Sequence, residues 1–133
     1  MKTESIRVSA VIPASPHEVY AAWMSSKGHA AMTGSSAKIV NRVGGRFSAW
    51  EDYISGTTVA LEPDTLIRQA WRTTDFPAGA PDSTIEIRLA KTGRGTRVTI
   101  AHEGIPAGQS ADYRKGWKDF YFVPMKGYFS SRT

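Results

Sequence analysis

The stretch from Trp71 to Phe129 constrains the fold most. In order, it carries a strand end, a Pro/Gly loop (Phe76 to Pro81), two alternating segments around Gly93-Arg94-Gly95, a second Gly/Pro loop, and one aromatic helix. Ser83 to Leu89 puts Ile85, Ile87 and Leu89 on one face, and Thr96 to His102 does the same for Val98, Ile100 and His102. Two such segments joined by a short turn pair antiparallel, because parallel pairing needs a long crossover. The helix beginning near Asp112 then sets Tyr113, Trp117, Phe120, Tyr121, Pro124 and Tyr128 at steps of three and four, one aromatic face. A curved sheet must hide its apolar side, and this helix is the longest apolar object available to it. Gly116 and Pro124 are costly inside a helix, by about 1 and 3 kcal/mol relative to alanine. Pro124 therefore predicts a kink near Phe120. Gly116 reads as a close helix–sheet approach or, alternatively, as a gate.

The preceding residues supply the rest of the sheet. Ile6, Val8, Ala10 and Ile12 share one face of a half-buried strand. Ser15, Pro16 and Glu18 form a capping-box pattern opening a helix whose apolar stripe is Val19, Tyr20, Trp23 and Met24. Ser25 to Gly34 predicts a second short helix. Strands follow at Ala37 to Val40, Arg46 to Trp50, Ile54 to Leu61 and Leu66 to Thr73, separated by Gly44-Gly45 and Pro63-Asp64 turns. Phe47 and Trp50 have opposite parity, so both face inward only across a bulge. The layout is strand, two helices, about six strands, long helix: an α+β chain read as one domain over residues 1–133.

Composition excludes several function classes. No apolar run approaches the roughly 20 residues of a membrane helix, and the N-terminal segment has no signal-peptide core. Without cysteine there is neither a disulfide scaffold nor a thiolate metal site, which suits a reducing cytoplasm. The net charge of +5 is scattered, and no nucleic-acid reading motif accompanies it. His17, His29 and His102 lack the spacing of a helical metal site, so no metal and no cofactor is expected. No nucleophile elbow, phosphate-binding glycine loop or dinucleotide fingerprint is present.

Ser15-Pro16 to Tyr20, Gly44-Gly45-Arg46-Phe47, Ile54-Ser55-Gly56, Trp71-Arg72, Phe76-Pro77-x-Gly79, Gly95-Thr96, Gly104-Ile105-Pro106 and Gly116-Trp117-x-x-Phe120-Tyr121-Phe122 occur in an order and spacing that is specific as a set. From about Ile6 to Phe129 the chain resembles the family of the activator of the 90-kDa heat-shock protein ATPase, specifically that co-chaperone's C-terminal domain. The family sits in the START/birch-pollen-allergen (SRPBCC) superfamily. The resemblance implies a helix-grip fold: a curved antiparallel sheet of six to seven strands wrapped around a long C-terminal helix, with two short helices after the first strand. Two departures stand out. The eukaryotic co-chaperone has a separate N-terminal domain that supplies much of its chaperone contact, and this chain has no room for one. Many single-domain relatives carry a tryptophan pair where this chain reads His29-Ala30-Ala31-Met32, which removes an aromatic wall.

The functional expectation is a non-enzymatic module holding a small hydrophobic or aromatic ligand between sheet and helix. Its expected contacts are Phe47, Gln69, Trp71, Ile87, Ile100, His102, Trp117 and Tyr121, with Phe76 to Pro81 as a lid or simply a long hairpin loop. Gln69 and His102 are the two polar groups expected to face inward, to orient a ligand or hold a buried water. His102 is also the one candidate for acid–base chemistry, set against a rim residue hydrogen-bonded to backbone. Two alternatives remain: a chaperone cofactor stimulating the heat-shock ATPase, as the family implies for a stress-response role, and a cyclase- or hydrolase-like enzyme. No catalytic residue is assigned. Expected partners are a small hydrophobic molecule or a chaperone protein, with no nucleic acid and no membrane, the chain being a cytoplasmic monomer or homodimer.

Overall fold

Residues 2–131 are described by a computed structural model in which the alternating segments become β1 (Thr3–Ile12), β2 (Ala37–Ile39), β3 (Arg46–Ala49), β4 (Ile54–Glu62), β5 (Leu66–Thr73), β6 (Ser83–Thr92) and β7 (Gly95–Pro106). They form one antiparallel sheet in the order β1-β7-β6-β5-β4-β3-β2. Register aligns the inward side chains in rows that cross the sheet. One row runs Val8–Ile100–Ile87–Ile67 and the next Ile6–His102–Ile85–Gln69–Thr58. A third runs Ser83–Trp71–Gly56–Phe47, and Thr73–Ile54–Ala49 follows it toward one end of the sheet. The apolar members of these rows are buried, as two-residue side-chain alternation requires.

α1 (Pro16–Trp23) and α2 (Ser26–Thr33) bridge β1 and β2. The capping box forms as the sequence predicts: the Glu18 amide donates to Ser15 Oγ at 3.1 Å, and the Ser15 amide donates to Glu18 Oε1 at 3.0 Å. Gly34 ends α2 in the left-handed region at φ 83°. At the C-terminus α3 (Ser110–Gly116), a π-helical segment (Trp117–Phe122) and α4 (Val123–Ser130) follow one another with helical backbone at each junction. The irregularity that Pro124 predicts near Phe120 takes the form of this π segment. In α-geometry the proline ring would meet the Phe120 carbonyl and leave it without a donor. Here the Val123 amide reaches back five residues to the Lys118 carbonyl, and the widened turn accommodates the ring.

The Phe47–Trp50 parity problem also has a different solution from the expected bulge. Trp50, Glu51 and Asp52 all take left-handed backbone, φ 56°, 54° and 68°, immediately after β3. Such a run costs about 1–2 kcal/mol per non-glycine residue, and it swings Trp50 toward the helix. Register shifts occur elsewhere, at Thr58/Ala60 in β4 and Glu4/Ile6 in β1.

Gly56 shows how tightly this part of the sheet closes. A Cβ there would collide with the Ala70 carbonyl oxygen and lie 2.7 Å from the Phe47 ring, which covers the glycine from the paired strand. Gly56→Ala is expected to destabilise by about 3 kcal/mol or more, read as a lowered urea midpoint with an unchanged slope.

Candidate functional site

A cavity of about 400 Å³ lies between the Thr73–Ile54 end of the sheet and the C-terminal helix. The helix contributes Tyr113, Gly116, Trp117, Phe120 and Tyr121, steps of three and four that persist into the π segment. The left-handed turn and the start of β4 contribute Trp50, Tyr53 and Ile54, and β5 contributes Trp71. Seven of these nine residues are aromatic and none is charged. Trp71, Tyr113, Trp117 and Tyr121 form one contiguous wall: Trp71 meets Tyr113 edge-on at 5.1 Å and Trp117 at 5.5 Å, and Trp117 meets Tyr121 at 4.9 Å. Trp50 and Phe120 pair separately, edge-on at 5.4 Å. Phe120 is 55% exposed, a large apolar group to leave in water beside an apolar cavity.

Behind the wall, hydrogen bonds fix the state of two histidines. Ser83 Oγ donates to the Trp71 carbonyl at 2.7 Å and accepts from His102 Nε2 at 2.9 Å. His102 Nδ1 accepts from the Trp117 indole N–H at 3.2 Å. An indole nitrogen only donates, so His102 is the neutral Nε2–H tautomer. His29 is the opposite one. Its Nδ1–H donates to the Trp23 carbonyl at 3.0 Å, and its Nε2 accepts the Tyr121 hydroxyl at 2.9 Å. Burial pushes His102 down to about 3 and His29 down to about 4, the Trp23 carbonyl opposing the shift for His29. Burial likewise raises the Tyr121 hydroxyl. Among the described residues, Trp50 Nε1 is the one buried side-chain donor without a partner. It offsets part of the Tyr121 shift without reaching hydrogen-bonding geometry.

Two of the lining phenols are held by hydrogen bonds. Tyr53 donates its hydroxyl to Asp75 Oδ2 at 2.6 Å. Tyr113 donates to Gln109 Oε1 at 2.7 Å and accepts from Thr73 Oγ1 at 2.7 Å. Burial raises both phenols, Tyr53 further helped by its bond to Asp75.

Of the eight expected contacts, Trp71, Trp117 and Tyr121 line the cavity. Phe47 packs over Gly56, and Gln69 is buried, its Nε2 donating to Thr58 Oγ1 at 3.2 Å. Ile87 and Ile100 belong to the fully buried row farther from the cavity end of the sheet, and His102 stands one bond behind Trp117. His102 faces inward as parity predicts. It is fully buried and bonded to side chains, not a rim residue bonded to backbone. Both its nitrogens are engaged, which leaves no lone pair for general-base work. The close approach expected at Gly116 is absent, since a Cβ there would meet only Phe120 Cδ2, at 4.0 Å. The Phe76 to Pro81 loop does not line the cavity; Phe76 packs on Trp71 at 6.3 Å and beneath the Arg72 guanidinium at 5.4 Å.

Six lining residues, Trp50, Tyr53, Ile54, Tyr113, Gly116 and Phe120, were not among the expected contacts. His29, read for metal spacing and as part of the segment that lacks the tryptophan pair, forms a buried helical stripe with Met32 and Thr33. His29 takes up part of the aromatic wall thought lost, meeting Trp23 at 5.2 Å and Tyr121 at 5.5 Å. No cluster of three metal-ligating side chains occurs among the described residues, and none of their helices is long and apolar enough to cross a membrane.

A curved antiparallel sheet closed by two short helices and a C-terminal helix defines a helix-grip, START-like protein. The chain belongs to the family described as Activator of Hsp90 ATPase homolog 1-like protein, whose model matches residues 13–130. It is 28% identical over 129 residues to an activator of 90 kDa heat shock protein ATPase homolog from Dictyostelium discoideum, covering 96% of this chain and 33% of that protein. Against the human activator of 90 kDa heat shock protein ATPase homolog 1 it is 29% identical over 115 residues, 86% of this chain and 34% of that one. The chain thus spans about a third of the length of these relatives. A crystal structure of an HSP90 activator from Plasmodium falciparum superposes with a TM-score of 0.86, covering 95% of this chain and 96% of that chain. At 19% identity that likeness shows the fold alone.

Proposed function

We propose that this chain is a non-enzymatic binding module that holds one small hydrophobic or aromatic molecule between the end of its sheet and its C-terminal helix. The carrying observation is the cavity of about 400 Å³ with seven aromatic walls and no charged lining residue. Ligand sites are concave, largely apolar and of this size, with a few polar groups to fix orientation. Here the free one is the Trp50 indole N–H, the one buried side-chain donor without a partner among the described residues. Three of the four tryptophans line the cavity, so binding reports on itself. Titration with 1-methylnaphthalene is expected to change tryptophan emission saturably, with a Kd on the order of 10 µM, about 0.6 kcal/mol per heavy atom. Linear, non-saturating responses to this probe and to charged analogues of the same shape, up to their solubility, would refute the reading.

The family membership favours a second reading, a chaperone cofactor of the cytoplasm. If it holds, stoichiometric addition of this chain raises the ATP turnover of the 90-kDa heat-shock protein, in a salt-sensitive manner given the net charge of +5. Unchanged turnover at several-fold excess removes it.

A further inference from the structure

The chain is basic overall, yet carboxylates neighbour several of the residues that line its cavity. Glu51 and Asp52 stand between the two lining residues Trp50 and Tyr53, in the left-handed turn, and both are exposed. Asp75 accepts the Tyr53 hydroxyl. Asp75 and Asp112 both act on the Tyr113 phenol, helping to keep it protonated. Three cations of the C-terminal helix, Arg114, Lys115 and Lys118, line a separate groove against β1. Three cations of the helix thus lie toward β1, while Asp75 and Asp112 act on a phenol of the cavity lining.

Ring faces carry negative quadrupolar charge, so an aromatic box attracts a cation most strongly when water is excluded. Carboxylates beside the lining residues reinforce that attraction, and at physiological ionic strength the opposing net charge of the whole chain is screened beyond about 8 Å. We infer that the ligand of this cavity is a flat organic cation, an aromatic ring bearing a quaternary or protonated nitrogen, and not a carboxylate or a plain hydrocarbon. Aromatic walls supply the apolar area, ring faces meet the delocalised positive charge, and the neighbouring carboxylates draw it in. This deepens the proposed function and rests on it.

Three probes of nearly one shape separate the possibilities: N-methylquinolinium, 1-methylnaphthalene and 1-naphthoate, titrated by tryptophan emission at low and physiological salt. N-methylquinolinium is expected to bind at least about 10-fold more tightly than 1-methylnaphthalene, and 1-naphthoate more weakly than either. In E51Q/D52N the preference for the cation is expected to fall about 3-fold at low salt, with the affinity for 1-methylnaphthalene unchanged. Asparagine keeps the left-handed backbone of Asp52 accessible. Equal or tighter binding of 1-methylnaphthalene overturns this inference and leaves the proposed function standing. Failure of all three probes to bind overturns both.

Discussion

Lowering the pH from 7 to 5 is expected to remove roughly 4 kcal/mol of folding stability, about 2 kcal/mol from each of two buried histidines. His102 and His29 are buried and held neutral, their folded values near 3 and 4 against an ordinary 6.5. In the unfolded chain both take up a proton as pH falls below about 6.5, while the folded chain stays neutral until far lower. The unfolded state therefore binds more protons, and stability is fully present above about 6.5 and is lost as pH falls toward the folded values. Protonation inside the fold would also break bonds. A second N–H on His102 would face the indole N–H of Trp117, and one on His29 would face the Tyr121 hydroxyl proton. Glu4 and Glu86 are held below the ordinary carboxyl range, chiefly by side-chain hydrogen bonds with Ser110 and Arg68 respectively. The check is the urea midpoint measured at half-unit steps. His102→Leu should halve the slope with pH while lowering overall stability, because Trp117 and Ser83 lose their partner. A midpoint flat between pH 7 and 5 would show that the histidines are not buried neutral.

Gly116→Phe is expected to weaken 1-methylnaphthalene binding by about 30-fold or more without lowering the melting temperature, a loss of roughly 2 kcal/mol or more in affinity. Glycine inside a helix is unfavourable by about 1 kcal/mol relative to alanine, and the usual compensation is a close approach of another backbone. Nothing approaches Gly116: a Cβ there would reach only Phe120 Cδ2, at 4.0 Å. The missing side chain is part of the cavity. Alanine should therefore stabilise the protein by about 0.5–1 kcal/mol, since the helical backbone at Gly116 suits any residue. Phenylalanine should carry its ring into the space a ligand would occupy. Differential scanning fluorimetry and the emission titration read the two effects separately. If Gly116→Phe unfolds the protein, or binds the probe as wild type does, the cavity is not where this geometry puts it.

Much of the fold was legible because side-chain parity and helical spacing are local. Ile85, Ile87, Val98, Ile100 and His102 alternate without interruption, and the rows they form follow from register alone. The Ser15–Glu18 capping box is equally local. The site was less legible, because its boundary depends on contacts made across the fold. Trp50 enters the cavity through three left-handed residues, of types (Trp, Glu, Asp) that do not announce such a turn. Tyr53 is placed by Asp75 and by the Thr74 amide, which donates to its carbonyl at 3.0 Å. Ile87 and Ile100 share parity with Trp71 but stand in a different cross-strand row, and parity alone does not say which row faces the cavity. Pro124 announced a helix irregularity, but not that it would take the form of a π turn carrying Trp117, Phe120 and Tyr121 into the wall.

The central claim, a ligand cavity walled by Trp50, Trp71 and Trp117, is tested most directly by the four indole N–H signals in a nitrogen–proton correlation spectrum during titration with N-methylquinolinium. Trp23 is the internal control: it stacks on Tyr121 at 5.0 Å but does not line the cavity. The expected result is saturable movement of the Trp50, Trp71 and Trp117 signals at one common Kd, with Trp23 shifting far less. If these three signals stay in place while only exposed backbone amides move, or if all four drift without saturating, the cavity does not bind the cation and the account is contradicted.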